Sequence, residues 1–108
     1  MIENAYCRSY QYATQEDRSA PRIKVLVPAT LRAVGGKRLQ TVVRDISLSG
    51  FSAVAITQLV PGTSCWLTIP GHEPRRAQVI WWEHGRTGCA FEQLLDASTL
   101  SAIITTAA

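Results

Sequence analysis

From Ile23 onward, apolar and polar residues alternate along the chain. Ile23, Val25, Val27, Ala29, Leu31 and Ala33 take every second position, with Lys24, Thr30 and Arg32 among the residues between them. That two-residue period predicts a strand with one buried face. Gly35-Gly36-Lys37 supplies the next turn. Thr41, Val42, Val43 and Ile46 predict a second strand over 39–46, and a third follows over 51–56 after a short turn at 47–50. Pro61-Gly62 marks another turn, and Cys65, Leu67 and Ile69 share one face of a strand over 64–69. Two prolines end that strand, because they cannot continue a ladder. Further strands are predicted over 76–82 and 87–91, joined by Glu83-His84-Gly85. The pattern then becomes helical: Asp96 suits an N-cap, and Leu100, Ile103 and Ile104 recur at helical spacing. Six short strands with regular turns predict a mainly β fold, an antiparallel barrel or sandwich with a short C-terminal helix.

Residues 1–22 break this pattern. They are polar, carry charges of both signs, and scatter Tyr6, Tyr10 and Tyr12 among few aliphatics. This predicts a flexible lead-in rather than a signal peptide. The expected organisation is a flexible segment over 1–22, a barrel over 23–95 and a helix and tail over 96–108. No apolar run approaches the roughly 20 residues of a membrane-spanning helix.

Composition narrows the functional classes. At 108 residues, 46% hydrophobic and 18% charged, the chain can bury a core and is neither a disordered tail nor a coiled coil. Cys7, Cys65 and Cys89 are odd in number and widely spaced, as expected of free thiols in a cytoplasmic protein. With two histidines besides, they match no metal-ligand spacing, so no metal and no cofactor are expected. The net charge of +3 rests on nine Arg and only two Lys. Arginine's planar fork suits phosphate and the acceptor edge of guanine, which points to a compact anionic ligand. There is no G-x-S-x-G, no phosphate-binding glycine loop and no histidine with a partner, so no enzyme is expected.

Two constellations carry candidate chemistry. Arg18 and Arg22 stand four positions apart ahead of the first strand, with Pro21 keeping the segment extended. Asp45-Ile46-Ser47-Leu48-Ser49-Gly50 forms the turn between strands two and three. An arginine pair at that spacing is expected about 0.7 times by chance in this composition, and D-x-S-x-x-G roughly 0.014 times, so the second carries the weight. Arginines on such a segment can grip phosphate oxygens or guanine O6 and N7. Asp45 can accept from guanine N1 and N2 or orient an arginine. Ser47 can offer its hydroxyl to a phosphate or base edge, or cap the turn together with Asp45. Gly50 is expected to permit a positive φ. Of Trp81 and Trp82, one should face the core and the other the surface; Trp81 is the candidate stacking platform near the site.

An R-x-x-x-R segment, a strand, and D-x-S-x-x-G at the next hairpin resemble the PilZ domain, a bacterial receptor for cyclic di-GMP. The resemblance runs from about Arg18 to Leu95 and includes Val79-Ile80-Trp81 and Gly88-Cys89-Ala90-Phe91. It implies a six-stranded antiparallel β-barrel with a C-terminal helix, and a ligand held between the arginine segment and the barrel's outer surface. By position, Arg18 and Arg22 would grip guanine and phosphate, and Asp45, Ser47 and Gly50 would form the hairpin side. One position departs. Many members that bind an intercalated ligand dimer have a further arginine directly before the first motif arginine, where this chain has Asp17 preceded by Glu16. Those carboxylates oppose a doubly anionic ligand by about 0.5–1 kcal/mol each and favour binding as a monomer; Arg8 or Arg44 can supply the missing charge.

The resemblance further implies a receptor whose arginine segment orders on binding and which signals to a separate partner protein. The alternative is an adaptor of the same fold that binds proteins without the nucleotide. A single-stranded nucleic-acid binder would need several exposed aromatics interleaved with basic residues, and only the Trp81/Trp82 region suggests it.

Overall fold

The computed structural model describes residues 21–107. Six strands run β1 (Ile23–Ala33), β2 (Arg38–Ile46), β3 (Gly50–Val54), β4 (Ser64–Thr68), β5 (Arg75–Glu83) and β6 (Arg86–Phe91), followed by one helix, α1 (Ala97–Ala107). All neighbours pair antiparallel, in the closed order β1-β2-β3-β6-β5-β4. Closure leaves no free sheet edge.

The alternating positions become the barrel interior. Val27, Ala29 and Leu31 of β1 meet Val43 of β2, Phe51 and Ala53 of β3, Cys65 and Leu67 of β4, and Val79 of β5, all buried. Phe51 and Phe91 pack with ring centroids 5.3 Å apart, a tilted aromatic pair at the core. Asp96 caps α1 through its Oδ1, which accepts the Thr99 N–H at 2.7 Å and the Ser98 hydroxyl at 2.9 Å. From there the helix lays Leu100 and Ile103 against the core. The third strand is shorter than its apolar run: β3 stops at Val54, and Ile56 is 89% exposed on the loop that follows.

Two irregularities aim side chains outward. Val43 pairs with Ala53 while Asp45 pairs with Ser52, so Arg44 is one extra residue on β2. Val79 pairs with Cys89 while Trp81 pairs with Gly88, so Ile80 is one extra residue on β5. Such bulges reset the in–out alternation. Val43 and Ile46, three apart, therefore both point inward with no exposure, and Asp45 turns to the outer face. On β5 Val79 stays inside, Trp81 turns out, and Trp82 packs against the core while its Nε1 donates to the Ala55 carbonyl at 2.8 Å. The buried Thr87 hydroxyl donates to the Trp81 carbonyl at 2.9 Å and satisfies the backbone beside the second bulge.

Candidate functional site

Pairing across four strands places Asp45, Ser52, Gly88 and Trp81 in one row on the outer face. Arg22, one residue ahead of β1, reaches this row. Its Nε and Nη2 both donate to Asp45 Oδ1, at 3.0 and 2.7 Å. The Ser52 hydroxyl donates to the other carboxylate oxygen, Oδ2, at 2.6 Å. Arg86 Nη2 in turn donates to Ser52 Oγ at 3.4 Å. Ser52 is only 3% exposed although it lies on the outer face. The result is a hydrogen-bonded chain, Arg22–Asp45–Ser52–Arg86, drawn from four segments. Partial burial pushes the Asp45 carboxyl up, but the Ser52 hydroxyl, the Arg22 hydrogen bond and the charges of Arg22 and Arg86 outweigh it and hold its pKa below the ordinary aspartate value.

Trp81 forms one wall. A β-carbon added at Gly88 would collide with the Trp81 indole, so the ring occupies the space over Gly88. At 40% exposure it still presents surface to solvent. An amphipathic ring beside two guanidinium groups and a carboxylate can stack a planar base, while the arginines offer donors to phosphate or to the guanine acceptor edge.

The other hairpin residues act from beneath. Ser47 is fully buried, and its Oγ accepts the N–H groups of Ser49 and Gly50, each at 3.2 Å. It caps the turn, and its hydroxyl also lies within hydrogen-bond reach of Ser49 Oγ at 3.2 Å. Gly50 does not have the positive φ expected of it. The glycine is required for another reason: a β-carbon there would strike the Cys89 carbonyl oxygen on β6. The end of β6 and the segment after it also tie the hairpin down, with Phe91 N–H donating to Ser49 O at 2.8 Å and Leu95 N–H to Leu48 O at 2.9 Å. Asp45 therefore projects from the end of β2, beside a braced turn.

The structure thus brings Arg22, Asp45 and Trp81 to one face, with Ser47 and Gly50 holding the hairpin beneath. Arg18, like residues 1–20 of the lead-in predicted over 1–22, lies outside the described residues. The sequence reading missed Ser52, Arg86 and Gly88. Ser52 stands two residues after Gly50 and Arg86 two before Gly88, so period-2 reading places each pair on a common face. That those faces adjoin follows only from the β3–β6 pairing. Among the described residues, Arg86 brings a second guanidinium to this set through Ser52; Arg8 lies outside them. Cys65 and Cys89 are free thiols buried in the core.

The family model described as PilZ domain matches residues 16–106. Among solved structures, the chain is similar to the PilZ domain of CeSA from a cellulose-synthesizing bacterium, at 18% identity and a TM-score of 0.58, covering 81% of this chain and 94% of that one. It is also similar to the Bacillus subtilis inhibitor of motility, MotI/DgrA, at 15% identity and a TM-score of 0.63 over 84% of this chain. This chain spans about half of that protein, 49% of its length. At these identities the likeness is one of fold. No curated protein matches the chain by sequence.

Proposed function

The chain belongs to the PilZ domain family, and on that footing we propose that it is a receptor for cyclic di-GMP, bound on the outer face around Asp45. PilZ domains are binding domains rather than enzymes, and they generally receive this nucleotide. The observation that carries the reading to this chain is the linked set Arg22–Asp45–Ser52–Arg86 beside an outward Trp81.

The hydrogen-bond count suggests how binding would work. A carboxylate offers about four acceptor positions. Arg22 occupies two on Oδ1 and Ser52 one on Oδ2. A guanine that donates from both N1 and N2 therefore displaces at least one Arg22 bond. The displaced N–H can turn to a phosphate of the same ligand, so seating the base and gripping the phosphate are coupled. Arg86 adds positive charge on the far side, Trp81 stacks the base, and Ser52 keeps Asp45 oriented throughout. Arg22 directly precedes β1 and Arg18 lies four positions upstream, so the exchange reorients the arginine segment. That change alters the surface offered to a separate downstream protein. Glu16 and Asp17 next to Arg18 favour one ligand per chain over an intercalated pair.

Isothermal titration of the purified chain with cyclic di-GMP, with GMP as control, tests this. Saturable binding near one ligand per chain, absent for GMP and lost in Arg22→Ala, is the expected result, with a melting temperature lowered only by the few degrees that about 1 kcal/mol costs a domain of this size. No heat at nucleotide concentrations on the order of tens of micromolar would sink the receptor reading and leave an adaptor that binds proteins alone. A large stability loss in Arg22→Ala would instead make that arginine structural.

A further inference from the structure

A second charged arrangement lies toward the other end of β1, roughly 26 Å along the strand from the Asp45 row at about 3.3 Å per residue. Cross-strand register aligns Arg38 of β2, Arg32 of β1, Trp66 of β4 and Arg76 of β5 on the outer face. Arg76 sits 5.7 Å from the Trp66 ring centroid and 3.9 Å from Glu92. Arg32 and Arg38, directly opposite one another, make no ion pair among the described residues. Like charges facing each other across an antiparallel pair repel, so folding alone does not favour this placement. Beside the row runs a groove of about 500 Å³ lined by Thr30, Arg32, Arg38, Trp66, Thr68 and Pro74.

We infer that this groove docks an acidic segment of a partner protein, with carboxylates on Arg32 and Arg38 and an apolar side chain against Trp66 and Pro74. Charge complementarity is the main argument. An anion bridging the two guanidinium groups gains two fork-shaped contacts and removes their repulsion at the same time. The shape argues for a short acidic peptide rather than a nucleic-acid strand. The unpaired arginines and Trp66 span only two strand spacings, roughly 10 Å, so the basic track is short. Glu92 ends the row and would repel a continuing chain of phosphates. The row has one aromatic ring, already faced by Arg76, where a strand-binding surface stacks successive bases on several. The groove shares no residue with the Arg22–Asp45 site, so the inference stands apart from the nucleotide reading.

The test titrates the isotope-labelled full chain with an eight-residue synthetic peptide of alternating aspartate and leucine, followed by NMR. A lysine-for-aspartate counterpart and a ten-nucleotide thymidine strand serve as parallel probes. Shifts should concentrate at Thr30, Arg32, the Trp66 indole N–H and Thr68, and leave Ser52 and Arg86 unmoved. Affinity should fall about tenfold or more in Arg32→Gln/Arg38→Gln, with a melting temperature equal to or above the parent's, and stay unchanged in Arg22→Ala. The shift map on the parent chain decides the question even if that double variant folds poorly. Shifts elsewhere, equal binding of the lysine peptide, or tighter binding of the thymidine strand with a steeper salt dependence would each overturn the inference.

Discussion

The Trp81 indole fills the space that a β-carbon on Gly88 would need, so the two residues are matched across the β5–β6 pair. The outward Trp81 depends on this as much as on the bulge at Ile80. Gly88→Ala should push the ring off the barrel. Because Trp81 is 40% exposed, it can swing into water, and stability should fall by less than about 1 kcal/mol. Tryptophan emission, read as the difference between the chain and its Trp81→Phe variant, should shift to the red. Cyclic di-GMP affinity should drop several-fold. An unchanged Trp81 emission would show that the ring is not seated on Gly88.

Asp45 should leave an acid signature. Its folded pKa lies below the unfolded value, so the stability it contributes is fully present above the unfolded pKa and is lost as pH falls through the folded one. Asp45→Asn cannot titrate and loses the charge-assisted bonds to Arg22. Those side chains are 36% and 24% exposed, so solvent screening limits the loss to about 1 kcal/mol near neutral pH. Urea denaturation across pH should show a constant gap between the two proteins near neutrality that closes below about pH 4. A gap that persists into strong acid would mean the carboxylate's charge is not what Arg22 and Ser52 hold.

Gly50 and Gly71 should respond differently to the same change. A β-carbon on Gly50 meets the Cys89 carbonyl, a backbone atom that cannot step aside, whereas Gly71 has open space and a φ of 87°. Gly50→Ala should destabilise by about 2 kcal/mol or more through overpacking. Gly71→Ala should lose about 1 kcal/mol from its left-handed backbone alone. Equal losses in chemical denaturation would remove close approach to β6 as the reason for Gly50.

Thr87→Val keeps the shape of a fully buried side chain and deletes its hydroxyl. The Trp81 carbonyl then loses its 2.9 Å donor beside the Ile80 bulge. Unfolding free energy should fall by about 1–3 kcal/mol, and amide exchange at Trp81 and Trp82 should quicken relative to β1. Exchange that quickened equally in every strand would mean that the hydroxyl stabilises the barrel as a whole and not the bulge.

Much of the fold was legible in single-strand patterns. The run from Ile23 to Ala33 became β1 with those ends, and the other strands fell within two residues of expectation because period-2 burial and turn residues are local signals. Asp96 read correctly as a cap for the same reason. Asp45 and Gly50 were legible as a motif, but the reason for Gly50 was not, because the obstacle is a carbonyl 39 residues later in the chain. Ser47 could be read as ligand-facing or as a cap, and the Ser49 and Gly50 N–H groups that donate to its hydroxyl show the capping role.

The chain's own sequence therefore determined where strands begin and end, which face of most strands is apolar, and that an acidic turn follows an arginine segment. Tertiary structure decided what meets on the outer face. A bulge exists only relative to a partner strand, so the two extra residues, Arg44 and Ile80, that turn Asp45 and Trp81 outward have no signature within their own strands. Ser52 and Arg86 lie 34 residues apart and touch because barrel closure sets β3 beside β6 rather than β4. Local alternation says in or out; only the register of strands distant in sequence says beside whom.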